Sequence, residues 1–164
     1  MIEMELVGVR VEMPSSSPIA LLREVGGSRR VLPIFIGAPE ATAIAFALEE
    51  VVTQRPMTHD LLRDVIQALD GTVDKVVVCD LKKNTFYALI HLTVRGEPVT
   101  IDSRPSDAIA LAVRSDAPIF ADDSVIEESA IEFEHEDDVN EEQMVEEFKK
   151  FLDDVKPEDF SAET

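Results

Sequence analysis

Cysteine, tryptophan and long apolar runs are missing or nearly missing from this 164-residue chain. Its one cysteine, Cys79, excludes an internal disulfide and any cysteine cluster that binds metal within one chain. No stretch approaches the roughly 20 apolar residues that a membrane-spanning helix needs. No basic segment followed by an apolar run opens the sequence, so no signal peptide is predicted. These absences predict a cytoplasmic protein without a membrane partner.

Aromatic residues are also few, at 5%, although apolar residues make up 45% of the chain. The core is therefore expected to consist mainly of valine, isoleucine, leucine and alanine. A chain of this length allows one domain, which can bury most of its apolar surface. Cys79 follows the apolar residues 76–78, and this position predicts a buried, inert thiol.

Basic residues are scarce and unevenly placed in a chain whose formal net charge is −19. Residues 122–164 hold 18 of the 34 acidic and 3 of the 15 basic residues, a net charge of −15, whereas residues 1–121 carry −4. The sequence therefore divides into a nearly balanced domain over residues 1–121 and an acidic tail over residues 122–164. Neither part shows the basic face of an ordinary nucleic-acid-binding protein, which argues against that role.

Apolar periodicity predicts an α+β fold, with mixed or antiparallel sheets flanked by helices. Strands are predicted over residues 2–13, 19–25, 31–36, 72–80, 85–94, 98–102 and 118–120. Pro33 indicates an edge strand or a strand start, because proline donates no backbone hydrogen bond. Helices are predicted over residues 39–52, 58–70 and 106–114. The hydroxyls of Thr58 and Ser106 are the expected caps of the second and third helices.

The order strand-strand-strand-helix occurs twice in this prediction. Shifting residues 31–48 by 65 positions onto residues 96–113 gives six identities in 18 positions. Pro33 then meets Pro98. The pattern indicates a duplication, and the alternative is that alanine-rich strand-to-helix junctions simply resemble one another. A duplication predicts a pseudo-two-fold axis, with a site where the two strand-to-helix turns meet.

An amphipathic helix is predicted near residues 140–153 of the acidic tail. Asn140 and Gln143 resemble a capping box. The apolar face of this helix consists of Met144, Val145, Phe148, Phe151 and Leu152. Such a helix would dock on its own domain, on a second copy of the chain or on a protein partner. A regulatory tail that mimics nucleic acid is a more specific alternative.

Two turns carry the residues that are best suited to chemistry. Residues 55–60 have the sequence Arg-Pro-Met-Thr-His-Asp, and residues 102–107 have the sequence Asp-Ser-Arg-Pro-Ser-Asp. Each places an arginine-proline pair just before a hydroxyl residue at a helix start. Helix N-termini and guanidinium groups both bind anions. The two turns therefore predict a phosphate-binding corner formed by Arg55, Arg104, Thr58 and Ser106.

The acidic residues of the turns suggest a metal site and a base. Asp102 ends a strand and Asp107 begins the next helix, so their carboxylates can share Mg²⁺ or Mn²⁺, with Glu40 as a further candidate ligand. His59 lies in a first helical turn, where the helix dipole favours a neutral imidazole that acts as base or ligand. Asp60 beside it is a further catalytic candidate. Metal, arginine clamp and base together predict phosphodiester hydrolysis.

A structural role is the alternative for each of these residues. Acidic residues are common in the first turn of a helix, which they stabilise by about 0.3–1 kcal/mol. Arg55 and Arg104 can pair with neighbouring acidic residues instead of a phosphate. The sequence contains no phosphate-binding glycine loop, hydrolase nucleophile elbow or zinc-binding helix motif.

Four segments of the sequence, which include both turns, resemble the bifunctional nuclease domain family. They are residues 32–41, 55–62, 86–88 and 101–112, and the resemblance extends over residues 1–130. It implies a compact α+β domain that self-associates as a homo-oligomer, occurs in bacteria and plants, and hydrolyses DNA and RNA. It supplies no catalytic residues, so the candidate site rests on the two turns.

Two hypotheses follow. In the first, the chain is a metal-assisted nuclease whose metal is held by Asp102 and Asp107, with the arginines on phosphate and His59 as base or ligand. In the second, the turns are structural, and the chain is a non-catalytic interaction or regulatory protein. Its oligomer surface or its acidic tail would then bind a protein partner.

Overall fold

The computed structural model describes residues 1–12 and 15–132 of the chain, which form seven strands and four helices. The strands are β1 (Ile2–Glu12), β2 (Ser17–Glu24), β3 (Val31–Phe35), β4 (Gly71–Lys82), β5 (Thr85–Val94), β6 (Glu97–Ser103) and β7 (Ile119–Ala121). The helices are α1 (Ala38–Leu48), α2 (Thr58–Ala68), α3 (Pro105–Ser115) and α4 (Asp123–Ser129). The predicted α+β class is confirmed, and the helix predicted near residues 140–153 lies outside the described residues.

All seven strands form one mixed sheet in the order β3-β2-β1-β7-β4-β5-β6. The three strands on either side of β7 form antiparallel meanders. Strand β7 is antiparallel to β1 and parallel to β4, so β1 and β4 run in opposite directions. One meander is followed by α1 and the other by α3. This order has the pseudo-two-fold symmetry that the sequence repeat predicts.

The described strands lie within two residues of their predicted bounds, and Pro33 lies in the edge strand β3, as expected. The predicted extension of the first helix to Val52 is wrong. The chain leaves α1 after Leu48, and Glu50 adopts a left-handed φ of 53°, so Val52 lies in an exposed loop. Helix α4 was not predicted, because its seven residues are too few to show a clear period.

The hydroxyl caps predicted at Thr58 and Ser106 are wrong. The N-cap of α2 is Met57, whose backbone N–H donates to the carboxylate of Asp60 at 2.9 Å. Helix α3 begins at Pro105, one residue before the predicted cap. The fixed φ of proline is already helical, and proline lacks the N–H that would need a cap. Ser106 therefore lies inside the helix.

The main core lies between the sheet and the helices α1 and α3. Its fully buried large side chains include Leu22, Leu32, Ile34, Ile44, Val76, Val78, Ile109, Leu111 and Ile126. Helix α3 is buried along most of its length and packs against α1, β4 and β5. Its alanines let the backbones approach closely, and this packing fixes the N-termini of α1 and α3 relative to each other.

The packed body continues past residue 121. Helix α4 buries Val125 and Ile126 in the same core. Ile131 then forms a β-bridge with Val31 beside the edge strand β3. Residues 122–132, which the charge pattern groups with the acidic tail, are therefore physically part of the folded body.

Candidate active site

His59 and Asp107 join the first turns of α2 and α3. The His59 side chain is buried, and its Nε2 lies 2.9 Å from Oδ1 of Asp107. An ionised carboxylate only accepts hydrogen bonds, so Nε2 carries the proton of this contact. The described residues provide no hydrogen-bond partner for the other ring nitrogen, Nδ1, and 9% of the His59 side-chain surface is exposed. The pair therefore holds the imidazole by one nitrogen and leaves the other free to accept a proton.

Arg104 connects this pair to α1. Its Nε donates to Oδ2 of Asp107 at 2.8 Å, and its Nη2 donates to Oε1 of Glu40 at 2.9 Å. Glu40 lies in the first turn of α1, so the strand-to-helix turns of the two related units meet here, as the pseudo-symmetry predicts. The Arg104 side chain is 65% exposed, whereas that of Glu40 is 14% exposed. The guanidinium group thus forms the solvent side of the cluster.

The charges of this cluster stabilise one another. Burial disfavours the ionised form of Asp107, but the hydrogen bonds from Arg104 and His59 outweigh it and hold the pKa of that carboxyl below its ordinary value. The hydrogen bonds of Arg104 to Asp107 and to Glu40 raise the pKa of its own guanidinium group. Asp107 is therefore ionised at neutral pH and keeps the imidazole in one tautomer.

The Asp60 carboxylate makes structural hydrogen bonds to the start of α2 and to Arg114 of α3. It accepts the Met57 N–H at 2.9 Å and the Nε–H of Arg114 at 2.7 Å. These two bonds lower the pKa of Asp60 against the opposing effect of burial. Arg114 also donates to the carbonyl oxygens of Ala110 and Ala43. Asp60 and the buried Arg114 therefore fasten α2 to α3 and α1, and the sequence motifs did not point to Arg114.

Asp102 is not brought to Asp107. In the strand register Asp102 pairs with Leu89, whereas Ile101 pairs with Ile90. Ile90 belongs to the core beneath α3. Because successive side chains of a strand point to opposite faces, Asp102 lies on the face of the sheet that is turned away from the helices. Asp102 and Asp107, which the sequence suggested as joint metal ligands, therefore lie on opposite sides of the sheet.

Cys79 lies on that same outer face. Its thiol is half-buried rather than buried as predicted. Burial raises the pKa of the Cys79 thiol, and the negative charges of Asp122, Asp80 and Asp102 raise it further. The thiol therefore stays protonated and unreactive at neutral pH.

The remaining candidates divide by exposure. Arg55 and Thr58 are exposed beside the first turn of α2, and the described residues provide no ion pair for Arg55. Ser106 is buried in α3, with 5% of its surface exposed. Arg55 and Thr58 are thus open to a bound anion, whereas the hydroxyl of Ser106 is not well placed to reach one.

The carboxylates of the site do not form a metal site as they stand. Among the described residues no three His, Cys, Asp or Glu side chains are grouped as ligands. Glu40 and Asp107 are the acidic pair of the cluster, and Arg104 already lies between them. A guanidinium group in this position satisfies both carboxylates with directed hydrogen bonds. Arg104 therefore already lies where a divalent cation shared by Glu40 and Asp107 would have to bind.

Gly37 leaves room for Glu40. A Cβ at position 37 would collide with the Oε2 atom of Glu40. We expect Gly37→Ala to displace that carboxylate and to weaken its bond to Arg104, at a cost below about 1 kcal/mol because the pair is half-exposed. Urea unfolding measures this cost. In a Glu40→Ala background the same substitution should cost less, and an equal cost in both backgrounds would contradict the explanation.

The ionised carboxylates predict a loss of stability in acid. The folded-state pKa values of Asp60, Asp107 and Glu24 lie below their ordinary values. Their contribution is complete above the ordinary value of about 4 and is lost as the pH falls towards the folded-state pKa. We expect the free energy of unfolding to fall below about pH 4.5, with a smaller slope in Asp60→Asn than in the wild type. Asp64→Asn is the control, because the Asp64 side chain is 41% exposed and, among the described residues, pairs only with the adjacent Arg63. A slope in Asp60→Asn equal to that of the wild type would contradict the prediction.

A family model described as the bifunctional nuclease domain matches residues 20–134, which include every residue of the cluster. The chain belongs to the bifunctional nuclease domain family. The resemblance drawn from the two turns is thereby confirmed. No helix in the described part of the chain is long and apolar enough to cross a membrane.

The relatives differ in how much of each chain is shared. An uncharacterized protein of Mycobacterium tuberculosis is 41% identical over 165 residues, which cover 98% of both chains. Bifunctional nuclease 2 of Oryza sativa subsp. japonica is 30% identical over 115 residues, which cover 68% of this chain and 35% of that protein. Bifunctional nuclease 2 of Arabidopsis thaliana is 28% identical over 112 residues, covering 65% and 34% respectively. The similarity to the plant proteins thus concerns the domain and about a third of their length.

Proposed function

We propose that the chain is a nuclease that hydrolyses phosphodiester bonds of DNA and RNA at the cluster formed by His59, Asp107, Arg104 and Glu40. The observation that carries the proposal is the convergence of these side chains from the first turns, or the N-cap, of three different helices. Family membership supports the reaction class, because the plant relatives are named bifunctional nucleases.

His59 is the general base of the proposed reaction. Asp107 accepts the Nε2 proton and fixes the ring, so that Nδ1 is left as the proton acceptor. A water molecule or a ribose hydroxyl that loses its proton to Nδ1 becomes the nucleophile at phosphorus. As its oxygen bonds to phosphorus, the P–O bond to the neighbouring nucleoside breaks, and the departing oxygen takes a proton from solvent. The ionised Asp107 then stabilises the imidazolium that forms. General base catalysis of this kind contributes roughly 100- to 10,000-fold to a rate.

The arginines supply the charge that the phosphate requires. Arg104 is held by two carboxylates but is mostly exposed, so part of its guanidinium group remains open to a phosphate oxygen. Arg55 and Thr58 lie at the N-terminus of α2, where the free backbone N–H groups also favour an anion. Together these groups would neutralise the charge that develops on the phosphate during cleavage.

Assistance by Mg²⁺ or Mn²⁺ is a separate part of the proposal. Glu40 and Asp107 are the carboxylates that would take part, and a bound cation would supply further charge stabilisation at the phosphate. None of the roles given above to His59, Arg104 or Arg55 depends on that cation.

Cleavage of labelled single-stranded DNA and RNA by the full-length chain tests the proposal. We expect cleavage by the wild type that is lost in His59→Ala and retained in Asp64→Ala. Parallel reactions with Mg²⁺, Mn²⁺ or EDTA decide the metal question, because cleavage in EDTA would remove the cation from the mechanism. Equal cleavage by wild type and His59→Ala would place the activity elsewhere. No cleavage by any sample would overturn the proposal and favour the non-catalytic alternative, in which the acidic tail binds a protein partner.

Self-association as a homo-oligomer is the remaining part of the proposal. The described chain offers an apolar surface for it, because Leu61, Leu62 and Val65 of α2 are 56%, 38% and 47% exposed.

A further inference from the structure

The hairpin of β4 and β5 projects beyond its neighbouring strands. Strand β6 pairs with β5 as far as Ala88, which lies opposite Ser103, and β7 pairs with β4 as far as Val78. Strands β4 and β5 continue to pair with each other up to Lys82 and Thr85. We call the projecting residues 80–87 the β4–β5 arm. In the described sheet no strand lies beside this arm on either side.

The β4–β5 arm has a well-defined shape. Its two turn residues, Lys83 and Asn84, have positive φ angles of 48° and 61°. This combination is the one that a two-residue type I′ hairpin turn requires. The side chain of Phe86 packs against the main core and fastens the arm from the helix side. A surface held in this way loses little conformational entropy when it binds a ligand.

Tyr87 offers an aromatic surface on the opposite side of the arm. Ala88 faces the core, so its neighbour Tyr87 points to the outer face of the sheet. Tyr87 is the only tyrosine of the chain and is 40% exposed. The Nζ atom of Lys82 lies 5.5 Å from the centre of its ring, and Asp80 forms an ion pair with that ammonium group. The Lys82 side chain is itself 67% exposed, so a ring and a cation face solvent together.

The β4–β5 arm begins beside the candidate active site. Arg104 directly follows Ser103, Tyr87 directly precedes Ala88, and Ser103 is paired with Ala88. From the usual spacings within and between antiparallel strands, the Cα atoms of Tyr87 and Arg104 are at most about 13 Å apart. Because β6 ends at Ser103, no strand of the described sheet separates the arm from Arg104. A polymeric ligand bound at Arg104 therefore extends within reach of Tyr87.

The charge of this surface indicates how it would bind such a polymer. Asp80 pairs with Tyr87 across the strands and Asp102 lies on the same outer face, so these two carboxylates offset the ammonium groups of Lys82 and Lys83. The arm thus lacks the excess of positive charge from which phosphate-dominated binding gains its affinity. An exposed aromatic ring binds nucleobases by stacking, which does not require that excess. Bases are accessible to stacking in single strands but not within a duplex.

We propose that Tyr87 stacks on a base of a single-stranded nucleic acid whose phosphate lies at Arg104, with Lys82 and Lys83 beside the adjoining phosphate. This stacking site rests on the proposed function, because it takes nucleic acid as the ligand of the cluster at Arg104. It adds a binding surface outside the helix N-termini and a preference for strands with accessible bases. Stacking also allows a chain with a net charge of −19 to bind a polyanion without a basic face.

Fluorescence anisotropy of a labelled single strand of about 12 nucleotides tests the stacking site with the full-length chain. Every sample carries His59→Gln, whose amide can donate to Asp107 but cannot act as a base, so the probe stays intact. Tyr87→Val should raise Kd by about 5- to 100-fold, which corresponds to the loss of one stacked base. Tyr87→Phe keeps the ring and should stay within about twofold of the parent.

Val99→Ala is the matched control. Val99 is 37% exposed, close to the value for Tyr87, but it lies towards the opposite end of β6 from Ser103. This variant should bind like the parent. Circular dichroism checks that every variant remains folded.

Two further ligands separate stacking from an indirect effect. On a strand of the same length without bases, the parent and Tyr87→Val should bind equally, and the parent should bind at least about fivefold more weakly than it binds the complete strand. An unlabelled duplex of the same sequence should compete at least about tenfold less well than the single strand. The same loss in Tyr87→Val on the strand without bases would overturn the stacking site, because the ring would then act through the fold. A duplex that competes equally well would also overturn it.

The stacking site and the nuclease proposal fail separately. Equal Kd values for Tyr87→Val and the parent would overturn the stacking site alone, even if the wild type cleaves the probe. Binding that depends on Tyr87, without cleavage by the wild type, would overturn the nuclease proposal alone. No binding of the single strand by the parent at up to about 100 μM, the weak end of non-specific affinities, would overturn the stacking site.

Discussion

Replacing Asp107 with asparagine is expected to slow phosphodiester cleavage by about 100- to 10,000-fold. Asparagine keeps the size of aspartate, but it removes the charge that the imidazolium of His59 requires. It also presents an N–H₂ group, which allows the other tautomer of His59, with the proton on Nδ1. The base would then be blocked at Nδ1, the proton acceptor of the proposed reaction, so the loss should appear in kcat.

The Michaelis constant separates this explanation from a loss of binding. Arg55 and Arg104 remain in Asp107→Asn, so KM for a DNA or RNA oligonucleotide should change by less than about threefold, while kcat falls. Asp64→Asn removes a carboxylate from the same helix as His59 without touching the cluster, and it should retain wild-type kinetics. A KM effect with unchanged kcat would show that Asp107 only positions Arg104 for binding.

Removing Arg114 is expected to be the most destabilising single change at the site. Its side chain is 6% exposed and donates to Asp60 and to two carbonyl oxygens, of Ala43 and Ala110. Arg114→Met keeps the aliphatic volume but leaves a partly buried carboxylate and two carbonyls without this donor. Breaking a buried ion pair from one side costs about 3–5 kcal/mol.

Urea unfolding followed by circular dichroism measures this cost. Arg95→Met is the control, because Arg95 is 72% exposed and its Nε lies 3.9 Å from Asp70. Exposed pairs of that kind contribute about 0–1 kcal/mol. If Asp60→Asn and Arg114→Met together cost no less than the sum of the single changes, the two residues do not act as a pair.

Local patterns in the sequence were sufficient to predict most of the strands and helices of the fold. Strand alternation and the position of Pro33 indicate the strands of the sheet, because these signals depend on neighbouring residues only. The pseudo-two-fold arrangement was also accessible, since the repeat between residues 31–48 and 96–113 reflects two units with the same local order. The meeting of Glu40 and Arg104 follows from that symmetry.

Other features depend on contacts that no local pattern contains. The apolar stripe of α2 has the same period whether it faces a core or solvent, so its outward orientation was not predictable. Arg114 resembles an ordinary basic residue in the last turn of a helix. Asp102 was taken for a partner of Asp107 because the two are close in sequence. The side chain of Asp102 nevertheless lies on the other face of the sheet, because successive side chains of β6 alternate between the two faces.

Strand β7 has a consequence for how the protein is made. It pairs residues 2–4 of β1 and residues 76–78 of β4, but its own residues, 119–121, are synthesised after both meanders. A growing chain on the ribosome therefore holds two half-sheets, each with an open edge, until β7 emerges. Protease resistance of β1 in stalled nascent chains should rise only after residue 121 has left the exit tunnel. Earlier protection would mean that the first meander folds as an independent unit.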